Sequence, residues 1–214
     1  MTISTFVDLK SQIATYLNRS NLTSQIPVFV QLAETRIYYG NKEAPFVSEP
    51  LRIQAMEQSY DVAISAQTAA LPSDYLAHRR LYLTSDGGRL DFMMPTAFWD
   101  RYNYGASGQP KKFTIEAGNL VFGPIPDTTY TGKLLYYRKF SALAADSDTN
   151  WILANAPGVY IQGALIEAYR FVRNMEQAQA ALNAFTGIVN ALNGADKSDV
   201  YAAPWAATPD SSTP

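Results

Sequence analysis

The sequence predicts an α+β fold: a helical bundle formed by the N- and C-terminal helices, with an antiparallel β module inserted between them. Two observations carry this. Residues 71–137 read as short strands broken by turns, with Asp86-Gly87-Gly88 between 80–84 and 90–93 and Ala117-Gly118-Asn119 between 113–116 and 120–122. Gly or Asn between runs of β-branched, aromatic and large aliphatic residues is the hairpin signal, because tight hairpin turns need positive φ. Segments of helical period then lie on both sides, two before and two after. The implied domains are 1–40 with 141–194 (helical, discontinuous), 41–140 (β-rich) and a flexible C-terminal tail at 195–214.

Helix one is expected over 5–18. Ser4 or Thr5 can cap it, and Asp8 stands in the first turn, where the helix dipole favours a negative charge. Phe6, Leu9, Ile13, Tyr16 and Leu17 form its apolar stripe. Helix two starts near Thr23 or Ser24, tolerates Pro27 in its first turn, and buries Ile26, Phe29, Val30, Ala33 and Ile37 before Gly40 stops it. Residues 41–50 are a loop. Residues 51–64 are ambiguous: Ile53, Ala55, Val62 and Ile64 alternate as in a strand, which is the reading adopted, but 54–58 can also be helical.

Leu71-Pro72-Ser73-Asp74 is a turn before the first hairpin, and Met94-Pro95-Thr96 opens a short helix carrying Phe98 and Trp99. Residues 104–110 are too glycine-rich for either element, and Pro124-Ile125-Pro126-Asp127 breaks the chain before a strand at 130–138. After a polar connector at 141–150, Pro157 fits the first position of a helix reaching about Arg173. That helix is apolar nearly all round, leaving a narrow polar stripe of Glu167, Arg170 and Asn174, so neighbours are expected on both of its sides. The last helix, 176–192, buries Ala178, Ala181, Leu182, Phe185, Ile188, Val189 and Leu192, and Asn193-Gly194 is read as its end.

Composition excludes several function classes. The 214 residues are 47% hydrophobic and 17% charged with a net charge of -2, so no global field draws nucleic acid or an anionic membrane. Zero Cys removes disulfides, thiolate metal sites and cysteine nucleophiles. Neither a secretory signal nor a membrane-spanning run is legible, and a soluble protein is expected. Aromatic residues are abundant, with 14 Tyr, 10 Phe and 3 Trp, which suits contact surfaces as well as cores.

Chemistry is sought and not found. His78 is the single histidine; it stands beside Arg79 and Arg80 at a strand start and reads as a surface or hydrogen-bonded residue, since catalysis needs convergent groups. No nucleophile elbow surrounds Ser73. Asp146-x-Asp148-x-Asn150 begins like a calcium loop, but Trp151 and Pro157 occupy the required glycine and glutamate positions. Capping of the next helix is the better role. The pairs Arg79-Arg80, Lys111-Lys112 and Arg138-Lys139 read as solvated strand edges, although each can touch phosphate. Trp99, Tyr102 and Tyr104 form either a stacking platform or a small core or subunit contact, the latter preferred. No catalytic, cofactor-binding or metal residue is assigned. A hydrolase built on Ser73 and His78 is the remotest reading; a carbohydrate-binding or tail-fibre-associated module using Trp99 and Tyr102 is the nearer alternative.

The order of motifs resembles a known family. Tyr16-Leu17-Asn18-Arg19 is followed by Ile26-Pro27-x-Phe29-x-x-Leu32-Ala33-Glu34-x-Arg36-Ile37, then Leu71-Pro72-Ser73-Asp74-Tyr75-Leu76. Gly108-Gln109-Pro110-x-x-Phe113-Thr114, Phe122-Gly123-Pro124-x-Pro126-Asp127 and Leu135-Tyr136-Tyr137 come next. Asp148-Thr149-Asn150-Trp151-Ile152-Leu153 and Pro157-x-x-Tyr160 complete the set. This resembles the head-to-tail adaptor (connector) proteins of short-tailed bacteriophages, the relatives of tail tubular protein A, over about 5–192. The resemblance implies a non-enzymatic virion protein of the neck, assembled in the host cytoplasm. It implies a homo-oligomeric ring of twelve copies beneath the portal protein and above a downstream tail or nozzle protein. DNA would pass through the channel without specific recognition, and no cofactor or membrane is involved. It further implies a C-terminal segment docking on the portal, with Tyr201, Pro204 and Trp205 as anchors, and subunit or tail contacts at Trp99, Tyr102, Val159 and Ala164.

Overall fold

The computed structural model describes residues 3–84, 88–102 and 105–201. The chain is α+β, and its contacts divide it into two units: Met1–Gln54 with Ser141–Pro214, and Ala55–Phe140.

In the first unit, α1 spans Phe6–Leu17 and α2 spans Ile26–Tyr39, joined by a 3₁₀ turn at Ser20–Gln25. Thr5 caps α1 in a reciprocal box: its hydroxyl oxygen accepts from the Asp8 N–H, and Asp8 Oδ2 accepts from the Thr5 N–H at 3.0 Å. Phe6, Leu9, Ile13 and Leu17 are buried as their spacing requires. Tyr16, expected in that stripe, is 53% exposed. It lies at the stripe's edge, where a phenol can stay in water. The later helices are α4 (Trp151–Asn155), α5 (Pro157–Phe171) and α6 (Met175–Tyr201). Asn150 caps α4 by accepting from the Leu153 N–H at 3.0 Å.

α5 is central: it packs against α1, α2, α4 and α6. That explains its nearly uniform apolarity without any second molecule. The α2–α5 crossing is so close that a Cβ on Gly163 would lie 2.9 Å from the Ala33 Cβ.

α6 does not stop at Asn193-Gly194 but continues to Tyr201. The Asn193 side chain is occupied elsewhere: its Oδ1 accepts from the Arg52 N–H at 2.8 Å and its Nδ2 donates to the Pro50 carbonyl at 3.1 Å. Gly194 is absent from the glycines of positive φ, so it makes no left-handed cap. The segment expected to be tail from Ala195 is therefore helical as far as Tyr201.

The second unit holds one seven-stranded sheet. Its strands are β1 (Glu57–Ile64), β2 (Thr68–Ala70), β3 (Tyr75–Leu83), β4 (Arg89–Phe92), β5 (Lys112–Glu116), β6 (Asn119–Gly123) and β7 (Tyr130–Arg138), in the order β1-β7-β3-β4-β5-β6-β2. The ambiguous 51–64 stretch resolves into an irregular run, a 3₁₀ turn at Gln54–Met56 and then β1. The β5–β6 hairpin turns on Ala117 (φ 47) and Gly118 (φ 77), with Glu116 opposite Asn119, the two positive φ values of the turn type that matches strand twist.

The sheet departs from the antiparallel expectation at one place. β4 pairs with β5 in parallel, Asp91 opposite Lys112 and Phe92 opposite Phe113. The cause is α3 (Pro95–Tyr102), which lies between these strands in sequence and gives the chain room to re-enter in the same direction.

Topology also dictates curvature. A flat sheet of seven strands would hold its edges about 29 Å apart at about 4.8 Å per strand, yet four residue steps of about 3.4 Å join Ile64 to Thr68. The sheet must curl until β1 and β2 approach. Its concave face encloses Val62, Ile64, Leu81, Leu83, Leu90, Phe113, Leu120, Phe122, Leu134 and Tyr136. Gly132 admits this closure, since a Cβ there would meet Ile64 Cδ1 at 2.9 Å.

Candidate interaction surface

His78, Asp74, Asp146, Asp148 and Asn150 are each engaged in structure, while Tyr104 lies outside the described residues. His78 lies on β3 with its ring 4.7 Å from Phe92 and 5.4 Å from Phe113. Burial holds its imidazole below its usual pKa. Asp74 accepts from the Tyr136 hydroxyl at 2.8 Å, and burial first, then that bond, push the phenol up to about 12. Asp146 pairs with Lys10, and Asn150 caps α4. Asp148 accepts from the Ala144 and Ala145 N–H groups, and the first of these bonds leads in lowering its pKa. Among the described residues no group of three or more His, Cys, Asp or Glu could hold a metal ion. No helix among them is long and apolar enough to cross a membrane.

The basic pairs are split between separate partners. Arg79 pairs with Glu57 and Lys112 with Asp91, while Arg80 and Arg138 lie over the rings of Tyr82 and Phe140. Trp99 and Tyr102 both pack on the fully buried Phe98. Trp99 donates to Glu116 Oε2 at 2.9 Å, and Tyr102 lies over Gly123, where a Cβ would approach its ring to 2.6 Å. The arrangement is a small core with one partly exposed indole. Val159 and Ala164 are fully buried within the chain, so neither presents a surface to a neighbour. Tyr201 is the last residue of α6, and Pro204 and Trp205 lie outside the described residues.

What the helical unit does present is a groove along α2. Its floor holds Arg36, only 4% exposed, whose Nη2 donates to Glu167 Oε1 at 2.7 Å and whose Nη1 donates to the Phe46 carbonyl at 2.9 Å and to Ser48 Oγ at 3.2 Å. Glu167 also accepts from Arg170, whose guanidinium lies 5.0 Å from the Phe46 ring centre. These contacts pin the 41–50 loop onto α2 and α5. Arg36 Nε has no hydrogen-bond partner among the described residues. Leu32, Thr35, Arg36, Gly40, Glu43 and Arg170 are among the residues enclosing a hollow of about 260 Å³. Val28, Leu32 and Tyr39 stand along the outward side of α2, 48%, 46% and 57% exposed. Phe171, at the end of α5, is 60% exposed with its ring 5.7 Å from that of Phe29.

An apolar ridge beside a buried, branched ion pair is interface chemistry: large side chains, an arginine and little free charge at the centre. The buried side of α2 was predictable from period alone. A signal for the ridge was present in Val28, Leu32 and Tyr39, apolar residues off that period, but it was not read as a surface. Arg36 was missed because a basic residue in the last turn of a helix reads as a solvated complement to the dipole.

The family model described as SU10 adaptor protein matches residues 4–208. No curated protein matches the chain.

Proposed function

This chain belongs to the SU10 adaptor protein family, the head-to-tail adaptors of phages that its motif order resembles, and on that premise we propose that it is the structural link between capsid and tail. In this reading twelve copies form a ring beneath the portal protein, with a tail or nozzle protein below, and the helices of both chain ends supply the ring as a bundle. The β unit faces the tail, and DNA passes through the bore without specific recognition. The kinship with tail tubular protein A belongs to the same reading.

The family match over nearly the whole chain carries the proposal. The exposed ridge on α2 supports it, because a folded unit that leaves Leu32 and Tyr39 about half uncovered has surface suited to a partner. A net charge of -2 also suits a channel that releases DNA instead of gripping it. For portal docking the segment at issue is residues 201–214, beginning where α6 ends.

Light scattering after size-exclusion chromatography tests this, with the chain alone and mixed with the portal of the same phage. Multiple copies are expected to co-elute with the portal, and deletion of Val200–Pro214 should abolish co-elution while the far-ultraviolet circular dichroism of the chain persists. Failure of the intact chain to bind the portal would overturn the reading. Co-elution unchanged by the truncation would remove the docking role of the C-terminal segment alone.

A further inference from the structure

Gly187 and Gly194 stand inside α6, where each weakens the helix relative to alanine. At Gly123, Gly132 and Gly163 the fold accounts for the missing side chain, since a Cβ would come within 3 Å of a neighbouring atom. At Gly187 and Gly194 a Cβ would meet nothing within 4 Å. Among the described residues no close approach accounts for these two glycines.

Their surroundings are unusual for a helix face in water. From Gln177 to Ala195 there is no Asp, Glu, Lys or Arg, and the exposed positions are small residues or amides, including Ala180, Asn183, Ala184 and Asn190. Depletion of charge marks the centre of an interface, and small residues let a second helix come to about 8 Å. Beside Gly194 lies a hollow of about 420 Å³, bounded by Glu49, Pro50, Arg52, Asn190 and Asn193.

The complement is on the same chain. Leu32 and Tyr39 are seven residues apart on the outward side of α2, and Gly187 and Gly194 are seven apart on α6. Both pairs return to one side of their helix after two turns, about 10.5 Å along the axis. Val28 and Asn183 each stand four residues before the first of its pair. The charges around the α2 hollow balance, Arg36 and Arg170 against Glu43 and Glu167, so a covering surface must bring no net charge. The uncharged face of α6 meets that condition.

We propose that α2 of one copy packs on α6 of the next, with Leu32 over Gly187 and Tyr39 entering the hollow beside Gly194. The contact is heterologous, each copy giving its ridge to one neighbour and its glycine face to the other, as a ring requires. Tyrosine suits the second position, because its ring fills the hollow while its hydroxyl reaches the polar rim. The inference rests on the ring reading above and adds the two faces that meet.

The absence of cysteine makes the test direct. Full-length chains carrying Leu32→Cys alone or Gly187→Cys alone are incorporated into phage particles and treated with a short bismaleimide. Neither should link to itself; particles containing both variants should give dimers, and the double variant a ladder of multimers. In parallel, Gly187→Leu should melt at or above the wild-type temperature as a free chain, yet enter particles at least tenfold less. Self-linking of either single variant, absence of the mixed dimer, or normal incorporation of Gly187→Leu each overturns the pairing while leaving a multi-copy ring standing. A single wild-type copy per particle would overturn the ring and the pairing together.

Discussion

The two units differ in what holds them. In the β unit the curled sheet encloses aliphatic and aromatic side chains, and its polar groups lie mostly on the outer face or at the rim, as the Tyr136 hydroxyl does with Asp74. In the helical unit two polar networks run through the packing. One joins Arg36, Glu167 and Arg170 beneath the 41–50 loop. The other joins Asn150, Tyr160 and Glu34: Asn150 Nδ2 donates to the Tyr160 hydroxyl, which donates to Glu34 Oε1 at 3.2 Å, and Glu34 also accepts from the Leu143 N–H. Each network pins an irregular segment to the helices. A sheet connected mainly by short turns gets its order from register; the irregular segments that follow α2 and precede α4 need directional bonds to fix where they lie.

Phe122→Ala should have the largest effect. Phe122 is fully buried on β6, opposite Phe113, and truncation leaves a cavity worth about 3–5 kcal/mol. Amide exchange should accelerate in β5, β6 and β7 while α5 keeps its protection. Equal acceleration in α5 would show that the difference between the units does not extend to their stability.

Arg36→Ala strikes the other kind of cement. Removing one member of a buried pair costs about 3–5 kcal/mol, and the low end is expected here because Arg170 still meets Glu167. The 41–50 loop should become sensitive to limited proteolysis. A loop as resistant as in the wild type would mean that the Phe46 and Ser48 contacts are dispensable.

Much of the fold could be read from residue order, and the exceptions share a cause. The Thr5–Asp8 cap, the buried faces of α1 and α2 and the Ala117-Gly118 turn are local, set by residues within a few positions of one another. The prolonged α6 was illegible because Asn193 makes its bonds to Pro50 and Arg52, some 140 positions away, instead of closing its own helix. The parallel β4–β5 pair was hidden for a similar reason: direction depends on where the chain returns after α3. Arg36 and Val159 mark the limit for the surface. Only the packed chain shows that the arginine is buried and that the apolar helix around Val159 is already covered by its own neighbours.

Tyr160→Phe tests the second network more gently. The ring would still fill its fully buried site, but Glu34 loses a donor and Asn150 an acceptor, a loss of about 1–2 kcal/mol. Burial already holds the Glu34 carboxyl above its usual pKa. Without the Tyr160 hydroxyl it should rise further, which carboxylate-selective NMR titration would detect. An unchanged titration would mean that the Leu143 N–H alone sets the charge of Glu34.

The smallest effect concerns His78, whose imidazole packs against the Phe92 and Phe113 rings of the β unit. Burial depresses its pKa, so the folded chain binds this proton less readily than the unfolded chain. With more protons bound in the unfolded state, stability rises with pH across the interval between the two values. The contribution is therefore complete above about pH 6.5, the ordinary histidine value, and is lost as pH falls from there toward the folded pKa. Urea midpoints measured at pH 7.5 and 5.5 should drop on acidification, and the drop should shrink in His78→Gln, which carries no proton to bind. Because the chain has a single histidine, Glu34 and the other carboxylates remain common to both proteins and cancel from the difference. An identical drop in the two would place the acid sensitivity outside the Phe92–His78–Phe113 ring cluster, and the β unit would then hold its imidazole without electrostatic cost.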